Sequence, residues 1–498
     1  MSICALPATI PGPPRTITPL RFLRGLRFFG DTMRTGGQLF DQYGSFVALS
    51  HRGGTNIYSP LAHCPGTVLT CDPQAVKQIL ASNDVFYRFP FLGTLYRSRD
   101  RSPRHRVLER YMTGLFDLNG PPHRQARQYL SPAFSQRAIA MYRDDAVAVT
   151  EKELESWSGG SPQDLTALTN HWSAKVMIQA LLGVEMYDHE IQFFHDVVYQ
   201  CGSSIAIFFI LYPYAFPGSP FRGLLKDLET GEEIALGITE RARSRLATGE
   251  PEQVQRLTVF SLLWDAQCGQ ADIALDQGQV LGHLNAMWTA GAEATGSALG
   301  WLLLLLSQHP AIAADLLDEL SATLHGDAPT VEQLKHLPLL DHIVKEGLRL
   351  LPSAPWNPKV AVQETELVGY GLPPGTEVFL SLHHLHLNPE VYDCPKVFKP
   401  DRWETLQPKP WEYSPFSGGT RACIGKGLAI LSLKVAIAMI VQRLRLEFVP
   451  TADINPGGVF TLTSPTPLLV KCHPQDRNFN QGVGNIQGFI REMVQLPH

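Results

Sequence analysis

Pro415 to Gly427 (PFSGGTRACIGKG) is the stretch of this 498-residue sequence that decides its fold. It places Cys423 in a glycine-rich turn directly before a run of small and aliphatic residues that predicts a buried helix. Free backbone N–H groups and the positive end of a helix favour a thiolate over a thiol, and Arg421 adds a cation two residues away. Gly419 and Gly425 permit a tight turn and close approach of the backbone to a flat ligand. The segment therefore predicts a thiolate site for a planar cofactor.

This stretch resembles the signature of the cytochrome P450 family, Phe-x-x-Gly-x-Arg-x-Cys-x-Gly. The matching residues are Phe416, Gly419, Arg421, Cys423 and Gly425. The resemblance implies that Cys423 is the metal ligand of heme b (iron protoporphyrin IX) and that the other four residues help to bind this cofactor. As an iron ligand, a thiolate donates electron density that favours O–O bond cleavage.

Two more segments resemble motifs of the same family. Lys345 to Arg349 (KEGLR) is similar to its Glu-x-x-Arg helix, and Phe398 to Trp403 (FKPDRW) to its Phe-x-Pro-x-Arg-Trp element. A spacing of three places Glu346 and Arg349 on one helix face, where the pair alone would be interpreted as an exposed salt bridge. The resemblance implies instead that both join Arg402 in a structural ion network beneath the heme.

The segment 120–134 (GPPHRQARQYLSPAF) resembles the family helix that contacts the heme propionates. It carries His123 and Arg127 one turn apart, and cations suit anionic propionates. Lys359 occupies the region where many relatives place another propionate-binding arginine. The resemblance thus implies three further cofactor-binding residues.

The segment Ala290 to Thr295 (AGAEAT) resembles the Ala-Gly-x-(Asp/Glu)-Thr segment that crosses the distal face of the heme. Glu293 takes the acid position, but Ala294 stands where the family usually has a threonine whose hydroxyl assists proton delivery. Thr295 is expected to face ~100° away around the helix and to bond a backbone carbonyl. Glu293, Ala294 and Thr295 are therefore the candidate catalytic positions, with a changed proton relay.

The leading interpretation is a monooxygenase that uses O2 and two electrons to hydroxylate, epoxidise or oxidatively couple a small, mostly hydrophobic molecule. Because of Ala294, the alternative is a heme-thiolate enzyme that cyclises or isomerises its substrate, or is driven by peroxide. A non-catalytic heme protein that binds a ligand ranks last. The heme domain fills the chain, so we expect NAD(P)H to act indirectly through a separate electron-transfer protein, a ferredoxin or a flavoprotein reductase.

Mostly apolar residues are expected to line the substrate pocket, which favours a hydrophobic substrate. By analogy with the family, the candidates are Met287, Ala290, Gly291, Ala354, Trp356 and Phe460, together with the segments 91–118 and 205–216. Six arginines crowd the first of these segments: Arg97, Arg99, Arg101, Arg104, Arg106 and Arg110. A solvated surface is the favoured interpretation of this run, with propionates, an acidic substrate group or an acidic redox partner as alternatives.

The sequence predicts a mainly α protein with a small β-rich part, in the P450 fold of a triangular helical prism with the heme between the distal helix and the Cys-loop helix. Residues 1–472 are expected to form a single heme domain and 473–498 a C-terminal tail extension. Helices are predicted at Leu281 to Gln308 and at Leu339 to Leu351, and an alternating strand within Glu366 to Leu382.

The net charge of -5 gives no reason to expect nucleic acid as a partner. Eight cysteines without CxxC pairs, no secretory signal and no N-terminal run of ~20 apolar residues predict a cytoplasmic, unanchored protein, which we expect to be a monomer. The apolar stretch 205–216 is too short to span a membrane, but it is compatible with peripheral membrane contact, a substrate entrance or a buried helix end.

Overall fold

The computed structural model describes residues 5–14, 18–53, 55, 57–59, 64–89, 105–111, 113–157, 160–202, 216–247, 257–449 and 452–497. Within these residues the chain is mainly helical, with a few small sheets, as the sequence predicts. The α-helices are α1 (Thr18–Gly30), α2 (Thr32–Tyr43), α3 (Pro73–Ala81), α4 (His105–Tyr111), α5 (Gly120–Leu130), α6 (Gln136–Trp157), α7 (Leu165–Leu182), α8 (Asp188–Gly202), α9 (Pro220–Ala247), α10 (Val259–Gln267), α11 (Gln277–Gln308), α12 (Pro310–Leu324), α13 (Pro338–Leu350), α14 (Leu382–Leu385), α15 (Lys426–Arg443) and α16 (Ile490–Met493).

Short 3-10 helices and strands connect these elements. The 3-10 helices span Ser131–Phe134, Gln333–His336, Pro400–Glu404, Gly419–Arg421 and Phe479–Gly482. The strands are β1 (Phe46–Ser50), β2 (Thr67–Thr70), β3 (Phe86–Tyr87), β4 (Gln163–Asp164), β5 (Trp356–Ala361), β6 (Thr365–Leu367), β7 (Tyr370–Leu372), β8 (Glu377–Ser381), β9 (Leu444–Phe448), β10 (Ala452–Asp453), β11 (Leu469–Pro474) and β12 (Ile486–Gln487).

The main sheet has the strand order β1-β2-β8-β5-β3. In it β8 pairs in parallel with β2 and antiparallel with β5, and all five of its residues are buried. The predicted alternation of buried and exposed residues in this strand is therefore wrong, because a central strand covered on both faces has no solvent side. The sheet holds β5, and with it Lys359, in a fixed register against the helical body.

The long helix α11 runs through the core, and most of its residues are buried. It begins at Gln277, four residues before the predicted Leu281. The reason is a capping box, in which the side chains of Asp276 and Gln279 each accept a hydrogen bond from the backbone N–H of the other residue. It is the one described helix that is long and apolar enough to cross a membrane. However, 72% of its most apolar window is buried inside the protein, as in the core helix of a globular fold.

The C-terminal residues dock on this body. Strand β12 pairs with β10, the backbone N–H of Gln495 donates to the Lys396 carbonyl at 2.9 Å, and Ile490 and Val494 are fully buried. The Arg34 guanidinium lies over the Phe489 ring, 4.7 Å from its centroid. The segment from residue 473 onward is thus packed against the fold through both strand pairing and apolar burial.

Candidate functional site

A cavity of about 1750 Å³ separates α11 from the turn that precedes α15. Ala290 and Glu293 line it from the α11 side, and Cys423 and Gly425 line it from the opposite side. Ligand pockets are commonly ~300–1,000 Å³, so this one has room for a large cofactor together with a second molecule.

The Cys423 side chain is accessible, and it lines the cavity. Its backbone N–H donates to the Phe416 carbonyl at 2.9 Å, which closes the turn. Burial raises the pKa of the thiol above its ordinary value, while the backbone N–H groups of Gly425 and Lys426 and the charge of Arg127 act in the opposite direction. The helix-end stabilisation expected from the sequence is present, but burial outweighs it.

Arg421 does not act on Cys423 as the sequence suggested. Its guanidinium donates to the Phe116 carbonyl at 3.2 Å, to the Leu118 carbonyl, and to Asn119 Oδ1 at 2.6 Å. The guanidinium is thereby committed to the segment before α5, and the cation that lowers the pKa of the thiol most is Arg127.

The two glycines of the turn are required for different reasons. Gly419 has a φ of +64°, and a Cβ there would overlap the Leu80 carbonyl oxygen of α3. Gly425 has ordinary backbone geometry, and a Cβ would lie 4.0 Å from Cys423 Sγ. The surrounding protein has room for a side chain at Gly425. The absence of a side chain at this position therefore leaves space for a ligand that approaches the Cys423 sulfur.

Five of the basic residues that border the cavity lie close enough to influence one another's pKa, and we call them the cation cluster: Arg88, His123, Arg127, Lys359 and Arg421. Burial lowers the pKa of Lys359 to about 7, of His123 to about 4 and of Arg88 to about 9. The nearby carboxyl is Asp117, whose pKa burial raises to about 6. At neutral pH the three arginines keep their charge opposite the carboxyl of Asp117, whereas His123 is a neutral donor, so the cluster holds more positive charge than Asp117 balances. Two propionate carboxylates require such a donor set.

Arg88 was not identified from the sequence, and Asp117 was included only as part of the predicted pocket segment 91–118. Arg88 follows the short strand β3, and its backbone N–H donates to Asn119 Oδ1 at 3.0 Å, while Asn119 Nδ2 donates to the Arg88 carbonyl at 2.6 Å. This exchange ties the end of the sheet to the segment before α5. No local motif marks either residue, because only the tertiary fold brings them to His123 and Arg421.

On the distal wall, burial raises the pKa of the Glu293 carboxyl to about 7, and hydrogen bonding by the nearby Thr461 side chain opposes the rise. Thr461 belongs to a hairpin in which the backbone groups of Gly457 and Thr463 pair at 2.9 Å in both directions. The neighbouring Leu462 carbonyl accepts hydrogen bonds from two side chains of α11, from Ser297 Oγ at 2.7 Å and from Trp301 Nε1 at 2.8 Å. The hairpin is thus fixed to the helix that carries Glu293.

Ala294 and Thr295 both line the cavity, and Ala294 offers no hydroxyl there. The predicted bond from the Thr295 hydroxyl to a backbone carbonyl is wrong, since that hydroxyl has no hydrogen-bond partner among the described residues. The residue of this helix segment that does make such a bond is Thr289, whose Oγ1 donates to the Asn285 carbonyl at 2.7 Å.

The predicted pocket residues all border the cavity: Met287, Ala290, Gly291, Ala354, Trp356 and Phe460. They do not contribute equally. Trp356 is 2% exposed and packs edge-on against Phe28 and stacks on Phe40. Ala290 is exposed and lines the cavity, so its surface is open to a ligand there.

Glu346, Arg349 and Arg402 are brought together as an ion network. Arg349 Nη2 donates to Glu346 Oε1 at 2.8 Å and Arg402 Nε donates to the same oxygen at 3.0 Å. Glu346 Oε2 accepts hydrogen bonds from Arg349 Nε and from Trp403 Nε1, each at 2.9 Å. Glu346 and Arg349 have no exposed side-chain surface. The pair is therefore not the exposed salt bridge that its spacing alone would suggest.

Two predicted features fall largely outside the described residues. These are the apolar stretch 205–216, except Phe216, which is 58% exposed, and the arginines from Arg97 to Arg104. Arg110, the last of the arginine run, is not simply solvated: it forms a two-pronged ion pair with Glu232 of α9, at 2.7 and 2.6 Å.

Comparison with known proteins gives a consistent picture. Residues 29–471 match the family model described as Cytochrome P450. Cyclooctat-9-en-7-ol 5-monooxygenase of Streptomyces melanosporofaciens is 29% identical over 82% of this chain and 86% of its own length. Cyclooctatin synthase of the same organism is 28% identical over 80% and 84%, and pentalenene oxygenase of Streptomyces avermitilis is 25% identical over 91% and 92%.

Proposed function

This chain belongs to the cytochrome P450 family and is a monooxygenase of that family, and from this premise we propose that it oxidises a small, mostly hydrophobic terpenoid with electrons from a separate redox protein. The observation that carries the proposal is the cavity in which Cys423 faces Glu293 from the opposite wall, with the cation cluster beside it. The names of the Streptomyces relatives support a cyclic terpenoid, since they refer to pentalenene and to cyclooctat-9-en-7-ol.

The chain's own residues fit heme. Cys423 would be the iron ligand, and the cation cluster would hold the propionates. The side chains of Arg88, Arg127 and Lys359 have no ion pair or hydrogen bond among the described residues. When bound, heme supplies the iron at which dioxygen is activated for transfer of one oxygen atom to the substrate. Glu346, Arg349 and Arg402 of the ion network do not line the cavity.

Glu293 and Thr461 are the groups that handle the proton. With a pKa of about 7, the Glu293 carboxyl carries a proton at neutral pH in about half of the molecules, so it is able both to donate and to accept. The Thr461 hydroxyl keeps the carboxyl in one orientation. Because Ala294 has no hydroxyl, this acid–alcohol pair replaces the acid–threonine pair that the family places on consecutive residues.

A second candidate function rests on Ala294. An enzyme that uses peroxide, or that isomerises or cyclises its substrate, does not need protons to be delivered from the distal side. Such an enzyme has no need for Glu293 to be held by a clamped hairpin, and we therefore rank this function behind the monooxygenase.

The test is turnover of pentalenene and of cyclooctat-9-en-7-ol by the purified heme protein with NAD(P)H and a surrogate ferredoxin and reductase. We expect hydroxylated product that contains one atom from isotopically labelled dioxygen, and no product when the reductase is omitted. The reduced protein should show a strongly red-shifted Soret band with carbon monoxide, which Cys423→Ser abolishes. Product formed from peroxide alone, or an isomerised product without added oxygen, would favour the second function.

A further inference from the structure

Three polar side chains form a row along α11 on the cavity wall: Asn285, Thr289 and Glu293. They are four residues apart, and such residues lie one above the other on a helix face. The hydrogen bond from Thr289 Oγ1 to the Asn285 carbonyl agrees with this alignment. The Glu293 end of the row belongs to the proposed proton pair. The Asn285 end has no role in that chemistry.

The Asn285 amide is unpartnered. The residue is only 6% exposed, it lines the cavity, and its side chain makes no hydrogen bond to any described residue. The neighbours of Asn285 on α11, Ala286 and Met287, also line the cavity, and α9 contributes Leu228 and Asp227. The amide is therefore open to the cavity, and a ligand or a water there is the group that can complete its hydrogen bonds.

We infer that Asn285 binds an oxygen atom that the substrate already carries, so that the natural substrate is an oxygenated terpenoid rather than a hydrocarbon. The inference rests on the proposed function and names the substrate class of the same cavity. An amide offers both an N–H donor and a carbonyl acceptor, which together match a hydroxyl group. The Thr289 hydroxyl already donates its hydrogen to the backbone carbonyl of Asn285. The free donor at this end of the row is therefore the side-chain amide of Asn285.

The row also sets the distance along α11 between Asn285 and Glu293. Asn285 and Glu293 are eight residues apart, which is ~12 Å along the helix at 1.5 Å per residue. A substrate whose oxygen is held at Asn285 therefore presents its opposite end to the reacting centre. The new oxygen should enter the carbon skeleton far from the existing one. The substrate must come from a reaction that has already installed an oxygen, such as an earlier oxygenation or the capture of water by a cation.

A tightly bound water would also complete the amide, and the two occupants predict different affinities. A site built to hydrogen-bond a hydroxyl discriminates strongly against the analogue that lacks it. A site in which Asn285 holds only water treats a terpenoid alcohol and its parent hydrocarbon alike.

The experiment measures dissociation constants of cedrol and of cedrane, a tricyclic alcohol and its deoxygenated counterpart, by Soret titration and by calorimetry of the heme protein. We expect the alcohol to bind at least about tenfold more tightly than the hydrocarbon in the wild type. Asn285→Leu, which keeps the branching at Cγ but removes both polar atoms of the amide, should reduce this ratio to about one. Leu284→Ile, an apolar exchange next to Asn285 at a buried residue that does not line the cavity, should preserve the ratio. The carbon monoxide spectrum of each variant checks that the site is intact.

Each outcome decides one claim. Equal binding of both probes by the wild type overturns the inference and indicates a bound water only. A ratio that survives in Asn285→Leu also overturns it and assigns hydroxyl recognition to another cavity group. If neither probe binds, the proposed terpenoid class fails, and the inference fails with it. An alcohol turned over with the new oxygen on the carbon next to the old one contradicts the alignment along α11.

Discussion

The ion network and the cation cluster both bury basic side chains, but they satisfy them in opposite ways. In the ion network, Glu346 accepts four hydrogen bonds from side chains, two from Arg349 and one each from Arg402 and Trp403. In the cation cluster, Lys359 is 3% exposed and has no ion-pair partner among the described residues. Since buried charge is stable only when it is paired, the first region is complete as protein and the second awaits an anion.

The largest expected effect follows from breaking the complete region. Glu346→Ala leaves Arg349 and Arg402 without their shared carboxylate in the interior, and we expect the free energy of unfolding to fall by about 3–5 kcal/mol. Urea denaturation of the heme protein measures it. As a control, Glu332→Ala removes an exposed ion pair with Lys335 and should change stability by less than about 1 kcal/mol. Equal effects of the two substitutions would contradict the distinction.

In the cation cluster, we expect a substitution to change the binding of heme rather than the stability of the fold. Lys359→Met removes a buried cation that no protein group neutralises, so the fold loses no ion pair while the propionates lose a partner. A hydrogen bond to a charged group contributes roughly 1.5–3 kcal/mol, so we expect heme to dissociate about 10- to 100-fold faster. Transfer of heme to an excess of an apoglobin measures this rate.

Lys359→Arg is the matched control for that substitution. It keeps the charge and should retain heme within a few-fold of the wild-type rate. If Lys359→Met released heme at the wild-type rate, Lys359 would not be a propionate ligand, and the unbalanced charge of the cation cluster would need another anion.

The two regions also differ in what the sequence reveals. The ion network and the Cys423 turn lie within short motifs, and their fixed spacings carry the information. Arg88 and Thr461 carry no such signal, because β3 and the clamped hairpin bring them to the cavity only in the folded protein. The hairpin's position depends on Ser297 and Trp301 meeting the Leu462 carbonyl, a contact between residues more than 160 positions apart.

Other differences between the predicted and the observed structure have identifiable physical causes. The early start of α11 was available from the Asp276 and Gln279 capping box. The full burial of β8 depends on neighbours from distant parts of the chain, and the local pattern does not encode them. Thr295 shows the limit of residue preferences, since its expected backbone bond is made instead by Thr289.

The distal wall provides a test with a smaller effect. Glu293 has a pKa raised to about 7 by burial, so it is protonated below that pH and ionised above it, and the bond from Thr461 lowers the pKa. Thr461→Val removes the bond, so the midpoint should rise by ~0.5–1 pH unit, equivalent to about 1 kcal/mol. The carboxylic acid C=O band, isolated as the infrared difference between wild type and Glu293→Gln, reports the midpoint directly.

Thr461→Ser keeps the hydroxyl and should titrate close to the wild type, whereas Thr463→Val alters the same hairpin away from Glu293 and should also leave the midpoint in place. A midpoint in Thr461→Val that is unchanged or moves to lower pH would show that the hydroxyl does not stabilise the ionised carboxylate.

The ion pair of Arg110 and Glu232 lies between the two extremes, because its side chains are 38% and 17% exposed. It joins α4 to α9, and its paired geometry is favourable, but solvent screens it. We expect a double-mutant cycle with Arg110→Ala and Glu232→Ala to give a coupling energy of about 0.5–1 kcal/mol, far below the effect at Glu346. The cycle is needed because Arg110 makes further contacts that a single substitution would also remove. A coupling as large as the Glu346 effect would mean that pairing geometry, rather than burial, sets the strength of these interactions.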